Sequence, residues 1–224
     1  YWVIRAWGEH WTSQLVARGQ AVNLWEVDGI MNLNYQKRDG TQMAPSLVLV
    51  DSGDQTDMVY DFCVDTAEYT LPSKGASKKL ETDYKISTIN KAGSRATGHP
   101  LVMVDTSKYK DRIAARMARK NGNGAWMVFR GIDDEYAAQV TAEHKINERQ
   151  ANGKIVQKWV PKGSHKDHHY LDAEVYAMAA ADIRGARTWH LDKYEPSEAP
   201  KKSRSGSEAK EEQWIRENEL EGWI

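Results

Sequence analysis

The chain has 224 residues, of which 40% are hydrophobic, and its 31 Lys and Arg residues nearly balance 32 Asp and Glu residues, for a formal net charge of -1. This length predicts one domain with an appendage, and the apolar fraction is sufficient for a globular core. The balanced charge excludes a global field that attracts polyanions, so any nucleic-acid site must be local.

Several classes of protein are excluded by missing patterns. No apolar run is long enough for a membrane span, and no basic segment followed by an apolar run opens the chain, so we expect a soluble, intracellular protein. The single cysteine, Cys63, excludes an internal disulfide and a cysteine-rich zinc site. The P-loop pattern of ATPases is absent. Because residue 1 is Tyr and residues 1–7 already have a strand pattern, we expect a fragment of a longer chain.

The first half of the chain predicts a hairpin followed by a strand, turn and helix unit. Residues 1–7 and 13–22 have strand patterns, and residues 24–35 have helical spacing. The continuous apolar run at 47–50 is typical of a central strand buried on both faces, and Asp51 follows it directly. The apolar residues after it predict the inner face of a helix.

The rest of the chain alternates strands and helices. We predict a weak strand at 69–71 and then a loop-rich basic stretch through Arg95. A buried strand at 101–104 is followed by a helix to about residue 120, a strand at 126–129 and a helix near 134–143. The last predicted elements are a hairpin of 145–150 and 154–160 around Asn152-Gly153 and an Ala-rich helix at 169–184. This order predicts an α/β fold with a mixed sheet and helices on both faces.

The C-terminal part differs in composition from the rest. Residues 194–212 are rich in Pro, Ser, Lys and Glu, which indicates a linker, and residues 214–224 could form a docking helix. The predicted organisation is therefore a domain at 1–189 and a tail at 190–224.

Three carboxylates stand at positions where chemistry could occur. Asp51 ends the most buried strand, where open α/β sheets place ligands, although capping of the next helix explains it equally well. For Asp105, the neighbouring Thr106 and Ser107 favour capping. Asp172 lies beside the apolar face of its helix, so it needs either a basic partner or, if the fold brings it to Asp51, a hard divalent metal such as Mg²⁺ or Mn²⁺.

Basic and histidine-rich segments offer weaker candidates. A stripe of Lys108, Arg112, Arg116 and Arg119 is either a solvated helix face or a track for phosphates, and the same alternatives hold for residues 74–95. The cluster of His165, His168 and His169 lacks a cysteine partner, which favours a loop near phosphate or simple solvation over zinc.

An ordered series of motifs resembles the nuclease domain of the large terminase subunit of tailed, lambda-like bacteriophages. The matching pieces are Leu-Val-Leu-Val-Asp51-Ser-Gly, Val59-Tyr60, Lys74-Gly75-Ala76-Ser77, Val104-Asp105-Thr106 with Lys108 or Lys110, Gln139 to Glu143, Trp159, and Leu171-Asp172-Ala-Glu-Val-Tyr176-Ala-Met-Ala-Ala180. In the family, Asn-Glu usually precedes the Leu-Asp pair, whereas His168-His169-Tyr170 stands here.

The resemblance implies a ribonuclease H-like fold and a metal-dependent endonuclease that cuts concatemeric double-stranded DNA during genome packaging. It places catalytic, metal-binding carboxylates at Asp51 and Asp172, with two Mg²⁺ or Mn²⁺ ions, and a further Asp on a strand upstream of Tyr1. In this interpretation Lys74, Lys108 and Arg112 contact DNA phosphates without sequence preference, and the helical stripe and the hairpin border the DNA channel.

From their positions in the sequence, Asp105 and His169 are accessory candidates for the site. The resemblance also implies partners. The implied partners are double-stranded DNA, the small terminase subunit and the portal, with no membrane, in the host cell cytoplasm during virion assembly.

Two other functions compete with this interpretation. A fragment lacking the upstream carboxylate could be a non-catalytic DNA-binding or motor-docking module, which metal-dependent nicking of a plasmid would contradict. A ribonuclease H-like nuclease of the resolvase type would prefer branched DNA.

Overall fold

The computed structural model describes residues 1–36, 40, 42–163 and 167–189. The strands are β1 (Trp2–Trp7), β2 (Ser13–Gly19), β3 (Tyr35–Gln36), β4 (Gln42–Met43), β5 (Val48–Asp51), β6 (Thr70–Gly75), β7 (Tyr84–Thr88), β8 (Pro100–Val104), β9 (Trp126–Met127), β10 (Glu143–Arg149) and β11 (Ile155–Pro161). The helices are α1 (Leu24–Met31), α2 (Thr56–Asp65), α3 (Thr106–Met117), α4 (Asp134–Val140) and α5 (His169–Ile183). The predicted tail and His165 lie outside the described residues.

The larger sheet has four strands in the order β5-β6-β8-β7. Strands β5, β6 and β8 are parallel, and β7 is antiparallel to β8. The apolar run at β8 forms an internal strand, with Val102 and Val104 fully buried, as predicted. The prediction of a central strand at residues 47–50 is wrong for the described structure. Strand β5 pairs with β6 on one side only, and its apolar residues Val48, Leu49 and Val50 are half-buried.

A three-stranded sheet, called the smaller sheet below, contains β1, β2 and β9, while β3–β4 and β10–β11 form separate two-stranded sheets. Its β1–β2 pairing confirms the first predicted hairpin, with an irregularity of register between Ile4 and Arg5. The predicted α/β class is confirmed, but the strands of the described residues divide into separate sheets instead of one mixed sheet. The reason is that β1 and β5 end their sheets without pairing with each other.

Two features of the middle of the chain differ from the prediction or refine it. The polar stretch after Gly75 contains β7, whose Ile86 is 48% exposed, so the strand lacks the buried face that reveals a strand in sequence. The β10–β11 hairpin is confirmed, with a longer turn than predicted: Gln150 N–H donates to Lys154 O, and Gly153 has the left-handed φ of 81° that glycine favours.

Helix α5 packs against both sheets and is the most buried element. Its Ala-rich sequence has small side chains, so the helix approaches the strands closely, and Val175, Met178 and Ala179 are fully buried. Gly185, with φ 85°, follows its C-terminus. No helix among the described residues has the length and apolarity that spanning a bilayer requires.

A buried ion pair connects the smaller sheet to α5. Arg5 on β1 donates from Nε to Glu174 Oε2 at 2.7 Å, and both side chains are completely buried. Arg5 also donates to Ser13 Oγ and to the carbonyl of Met127, while the Tyr136 hydroxyl donates to Glu174 Oε1 at 2.6 Å. Both charges are therefore hydrogen-bonded, as buried charges must be.

We predict that Glu174→Ala lowers the free energy of unfolding by about 3 to 5 kcal/mol, because it leaves the Arg5 guanidinium buried without its counter-charge. Urea denaturation measures the loss. The matched control is Arg95→Ala, which breaks the exposed Arg95–Asp65 pair and is expected to leave the midpoint unchanged. Equal midpoints for the two variants would contradict a structural role for the buried pair.

Candidate active site

The candidate site lies where the parallel strands of the larger sheet end. Asp51 ends β5, Lys74 and Gly75 end β6, and Asp105 follows β8, so all of them come to the same edge of the sheet. Open α/β sheets bind ligands at this edge. Helix α5 passes this edge and adds residues from its first two turns.

Asp51 is exposed, and two hydrogen bonds orient its carboxylate. The Tyr176 hydroxyl donates to Asp51 Oδ1 at 3.2 Å, and the Gly53 N–H donates to the same oxygen at 3.0 Å. Gln55 is the N-cap residue of α2, so Asp51 does not cap that helix. The capping alternative is therefore wrong, and the carboxylate instead faces α5.

Asp172 lies in the first turn of α5, where charged partners surround it. Lys110 Nζ is 3.6 Å from its Oδ1, and His168 Nε2 is 3.3 Å from its Oδ2. Burial raises the pKa of Asp172 above its ordinary value, the charges of Lys110 and His168 oppose that rise, and the charge of Glu143 adds to it. The basic partner that the sequence required for this carboxylate is thus Lys110.

Tyr176 connects Asp51 on the larger sheet to α5, the helix that also carries Asp172. It lies one turn after Asp172 on α5 and donates its hydroxyl to Asp51. Burial raises the pKa of Tyr176, and the negative charges of both Asp51 and Asp172 raise it further. The phenol therefore stays protonated as a donor to Asp51, and Asp51, Asp172 and Tyr176 all line the same cavity.

The sequence motifs included Lys110 and Glu143, but the sequence predicted neither a role nor a contact for them. Lys110 Nζ donates to both carboxylate oxygens of Glu143 at 2.8 Å, and both side chains are almost completely buried. The signal in the sequence was the position of Lys110, three residues before buried Ile113 and therefore on the inner face of α3. Its partner lies 33 residues away, so no local pattern reveals the pair.

The oxygen donors suit a hard divalent ion but do not form a complete site. Asp51 and Asp172 are carboxylates, the ligand type that Mg²⁺ and Mn²⁺ prefer. Across the described residues, no group of three or more His, Cys, Asp or Glu side chains is arranged to hold a metal ion. The two carboxylates therefore fit as part of a ligand set that needs another member.

The remaining predicted site residues have internal contacts. Asp105 caps α3 by accepting from the Lys108 N–H, as its neighbours indicated, and it also accepts from the Leu80 N–H. His169 begins α5, and the ring of Tyr1 stacks on it at 4.6 Å. Neither residue has a contact that brings it to Asp51 among the described interactions.

The predicted phosphate-binding residues are engaged to different degrees. Lys108 Nζ donates to three backbone carbonyls, those of Leu80, Glu81 and Thr82. Arg112 donates to Asp83 at 2.6 Å, and hydrogen bonds from Arg187 and Arg112 outweigh burial and lower the pKa of Asp83. Lys74 is half-buried beside the site, 3.4 Å from Thr56 Oγ1.

A cavity of about 660 Å³ separates the two sheets next to these carboxylates. It is lined by β1 on one side, by β5 with Asp51 on the other, and by α5 residues including Asp172, Ala173 and Tyr176. Among the described residues, β1 and β5 each pair with a strand on one side only, so each has one unpaired edge, and residues of both strands line this cavity.

Comparison with known proteins gives one family. The family model described as the terminase large subunit gpA, endonuclease domain, matches residues 1–192. No curated protein and no solved structure matches the chain.

We predict that the pKa of Asp172 lies above the ordinary value of 3.8 and rises further in Lys110→Met, because that change removes the opposing positive charge. Carboxyl carbon chemical shifts followed by NMR during a pH titration measure it. The wild-type chain, titrated under the same conditions, is the control. An Asp172 titration that is unaffected by Lys110→Met would contradict the contact.

Proposed function

Because the chain belongs to the family of terminase large subunit gpA endonuclease domains, we propose that it is a metal-dependent nuclease that cuts concatemeric double-stranded DNA during genome packaging. The observation that supports this proposal is that Asp51, which the Tyr176 hydroxyl orients, and Asp172 line the same cavity beside the carboxyl edge of the larger sheet. Two carboxylates from different elements beside an open cavity are the arrangement that phosphodiester hydrolysis with hard metals needs.

The roles of the residues follow from their contacts. Asp51 and Asp172 would hold Mg²⁺ or Mn²⁺, which when bound activates water and stabilises the leaving oxygen. Tyr176 orients the Asp51 carboxylate toward α5. Lys110 neutralises part of the negative charge of Glu143 and Asp172, and so keeps two neighbouring carboxylates from repelling each other.

We further propose that an additional strand completes this site in a ribonuclease H-like sheet. A strand between β1 and β5 would join the two sheets, and α5 already packs across both. If the added strand runs parallel to β5, its carboxyl end reaches the edge that carries Asp51. A carboxylate there would supply the ligand that the described residues lack.

The test of this strand compares residues 1–224 with a longer polypeptide that carries the upstream strand implied by the family. The longer polypeptide is expected to nick plasmid DNA with Mn²⁺ and to protect the amides of β1 and β5 from hydrogen exchange. Residues 1–224 are expected to bind metal weakly and to nick little. Equal nicking rates would show that the proposed set of carboxylates is wrong.

The proposed DNA surface includes the site edge and the β10–β11 hairpin. The hairpin exposes Arg149, Lys154 and Lys158. Lys74 lies closer to the carboxylates. For Lys108 and Arg112, the role in phosphate binding stays a proposal that would require exchanging their present internal contacts.

The proposed partners are those of a packaging motor. They are double-stranded DNA, the small terminase subunit and the portal, and the proposed place of action is the host cell cytoplasm during virion assembly. Accessory roles for Asp105 and His169 belong to the same proposal.

A second function is favoured by one observation. Because the described residues do not form a group of three metal ligands, the domain could act as a DNA-binding or motor-docking module without cutting. DNA binding without metal-dependent nicking in the longer polypeptide would support that alternative. A preference for branched DNA would instead indicate a resolvase-type nuclease.

We predict that Asp51→Asn and Asp172→Asn in the longer polypeptide each lower the nicking rate by at least about a hundredfold, because a metal ligand is lost. Asp54→Asn, in the same loop as Asp51, is the control and is expected to nick at the wild-type rate. Circular dichroism checks that all three variants fold. Full nicking by either of the first two variants would exclude that carboxylate from the site.

We predict that Lys154→Glu combined with Lys158→Glu weakens DNA binding to the same extent for any sequence. The slope of log K against log salt should become shallower by about 2, since each lost phosphate contact changes it by about 0.9. Lys91→Glu, a reversal on the α2 side of the domain, is the control. An unchanged slope in the hairpin variant would remove the hairpin from the DNA surface.

A further inference from the structure

The base of the β10–β11 hairpin is attached to α3 through one carboxylate. Asp111 on α3 accepts from the Lys145 ammonium at 2.6 Å through Oδ2, and from the Trp159 indole N–H at 2.9 Å through Oδ1. Lys145 on β10 and Trp159 on β11 are direct cross-strand partners. One side chain therefore holds both strands of the hairpin at the same level.

The neighbouring residue of α3 joins the same hairpin to the candidate site. Lys110 binds Glu143, the first residue of β10, and lies 3.6 Å from Asp172. Glu143 and Lys145 are two residues apart, so their side chains leave the same face of the ribbon. Asp111 and Lys110 thus attach one face of the hairpin base to α3 at two adjacent points.

The rest of the hairpin depends on this attachment for its orientation. Beyond Lys145 and Trp159 most side chains of the two strands are exposed, as Ile155 is at 66%. A two-stranded ribbon without a packed face is only marginally stable in water. Contacts at its base therefore determine its direction.

We propose that Asp111 is a positioning residue for DNA cleavage, which holds the hairpin in the orientation that aligns bound DNA with Asp51 and Asp172. Asp111 touches neither of these carboxylates in the described contacts, and it acts through Lys145 and Trp159. The proposal rests on the nuclease function proposed above, and it explains why Trp159, singled out in the sequence, needs its indole N–H.

The test measures nicking by the longer polypeptide at saturating Mn²⁺ over a range of DNA concentrations. Asp111→Ala is expected to lower kcat about tenfold, because small misplacements of a reacting group are costly, and to change KM by less than about twofold, since the hairpin keeps its basic side chains. Asp111→Asn keeps an oxygen acceptor for Trp159 and is expected to recover part of kcat. Trp159→Phe and Lys145→Met, which each remove one donor, are expected to fall between Asp111→Ala and wild type.

Asp57→Ala is the matched control, because it breaks an exposed Asp–Lys pair on another helix; it should leave kcat unchanged. Hydrogen exchange of residues 143–161 supplies a readout that does not depend on activity. Faster exchange throughout the hairpin is expected in Asp111→Ala and not in Asp57→Ala.

The outcomes separate this proposal from the one on which it rests. A wild-type polypeptide that nicks DNA, with an Asp111→Ala variant of equal kcat, overturns the positioning role and leaves the nuclease function intact. A wild-type polypeptide that neither binds nor nicks DNA overturns both the proposed nuclease function and the positioning role of Asp111. A loss confined to melting temperature, with kcat unchanged below that temperature, shows a structural role only and also overturns the proposal.

Discussion

The ion pair between Arg5 and Glu174 is the interaction on which the position of the candidate site depends. It fastens β1 to the middle of α5, and Ser13, Met127 and Tyr136 supply the hydrogen bonds that make two buried charges tolerable. Asp172 lies two residues before Glu174 and Tyr176 two residues after it. The register of α5 against the smaller sheet therefore also determines where Tyr176 reaches Asp51 and where Asp172 reaches Lys110.

Helix α5 has a second constraint, which its composition meets. It must approach two sheets that do not pair with each other. The four alanines between residues 177 and 181 allow this close packing, and the larger side chains of Val175 and Met178 are fully buried beside them. The space left between β1 and β5 is consequently bounded by backbone edges and by one helix.

Much of the architecture could be predicted from the sequence, because it follows from local patterns. The apolar run at β8, the glycine-containing turn of the hairpin and the Ala-rich α5 all carry signals within a few residues. The edge position of β5 could not be predicted, since an apolar run looks the same whether one or both of its edges are paired. Strand β7 was missed because its side chains are half exposed, and its identity as a strand depends on pairing with β8.

The candidate site shows the same division. Asp51 and Asp172 could be proposed from the sequence, because Asp51 follows an apolar strand and Asp172 lies beside an apolar helix face, where an unpaired charge is costly. The pairing of Lys110 with Glu143 could not be predicted, because it depends on how the hairpin contacts α3. The basic stripe of α3 was expected either to face solvent or to contact phosphates, yet Lys108 donates to the carbonyls of residues 80–82. Backbone acceptors leave no trace in a sequence.

The separation of the larger sheet from the smaller sheet has a consequence for the order in which the chain folds. The strands of the larger sheet and α3 all come from residues 48–117, so their contacts close short loops. The smaller sheet joins β1 and β2 to β9, and the ion pair to α5 spans 169 residues. Because loop closure costs more entropy as the separation grows, the larger sheet can form early in synthesis, whereas α5 docks last. The two carboxylates of the site thus belong to an early and a late folding unit, and they meet only when the domain is complete.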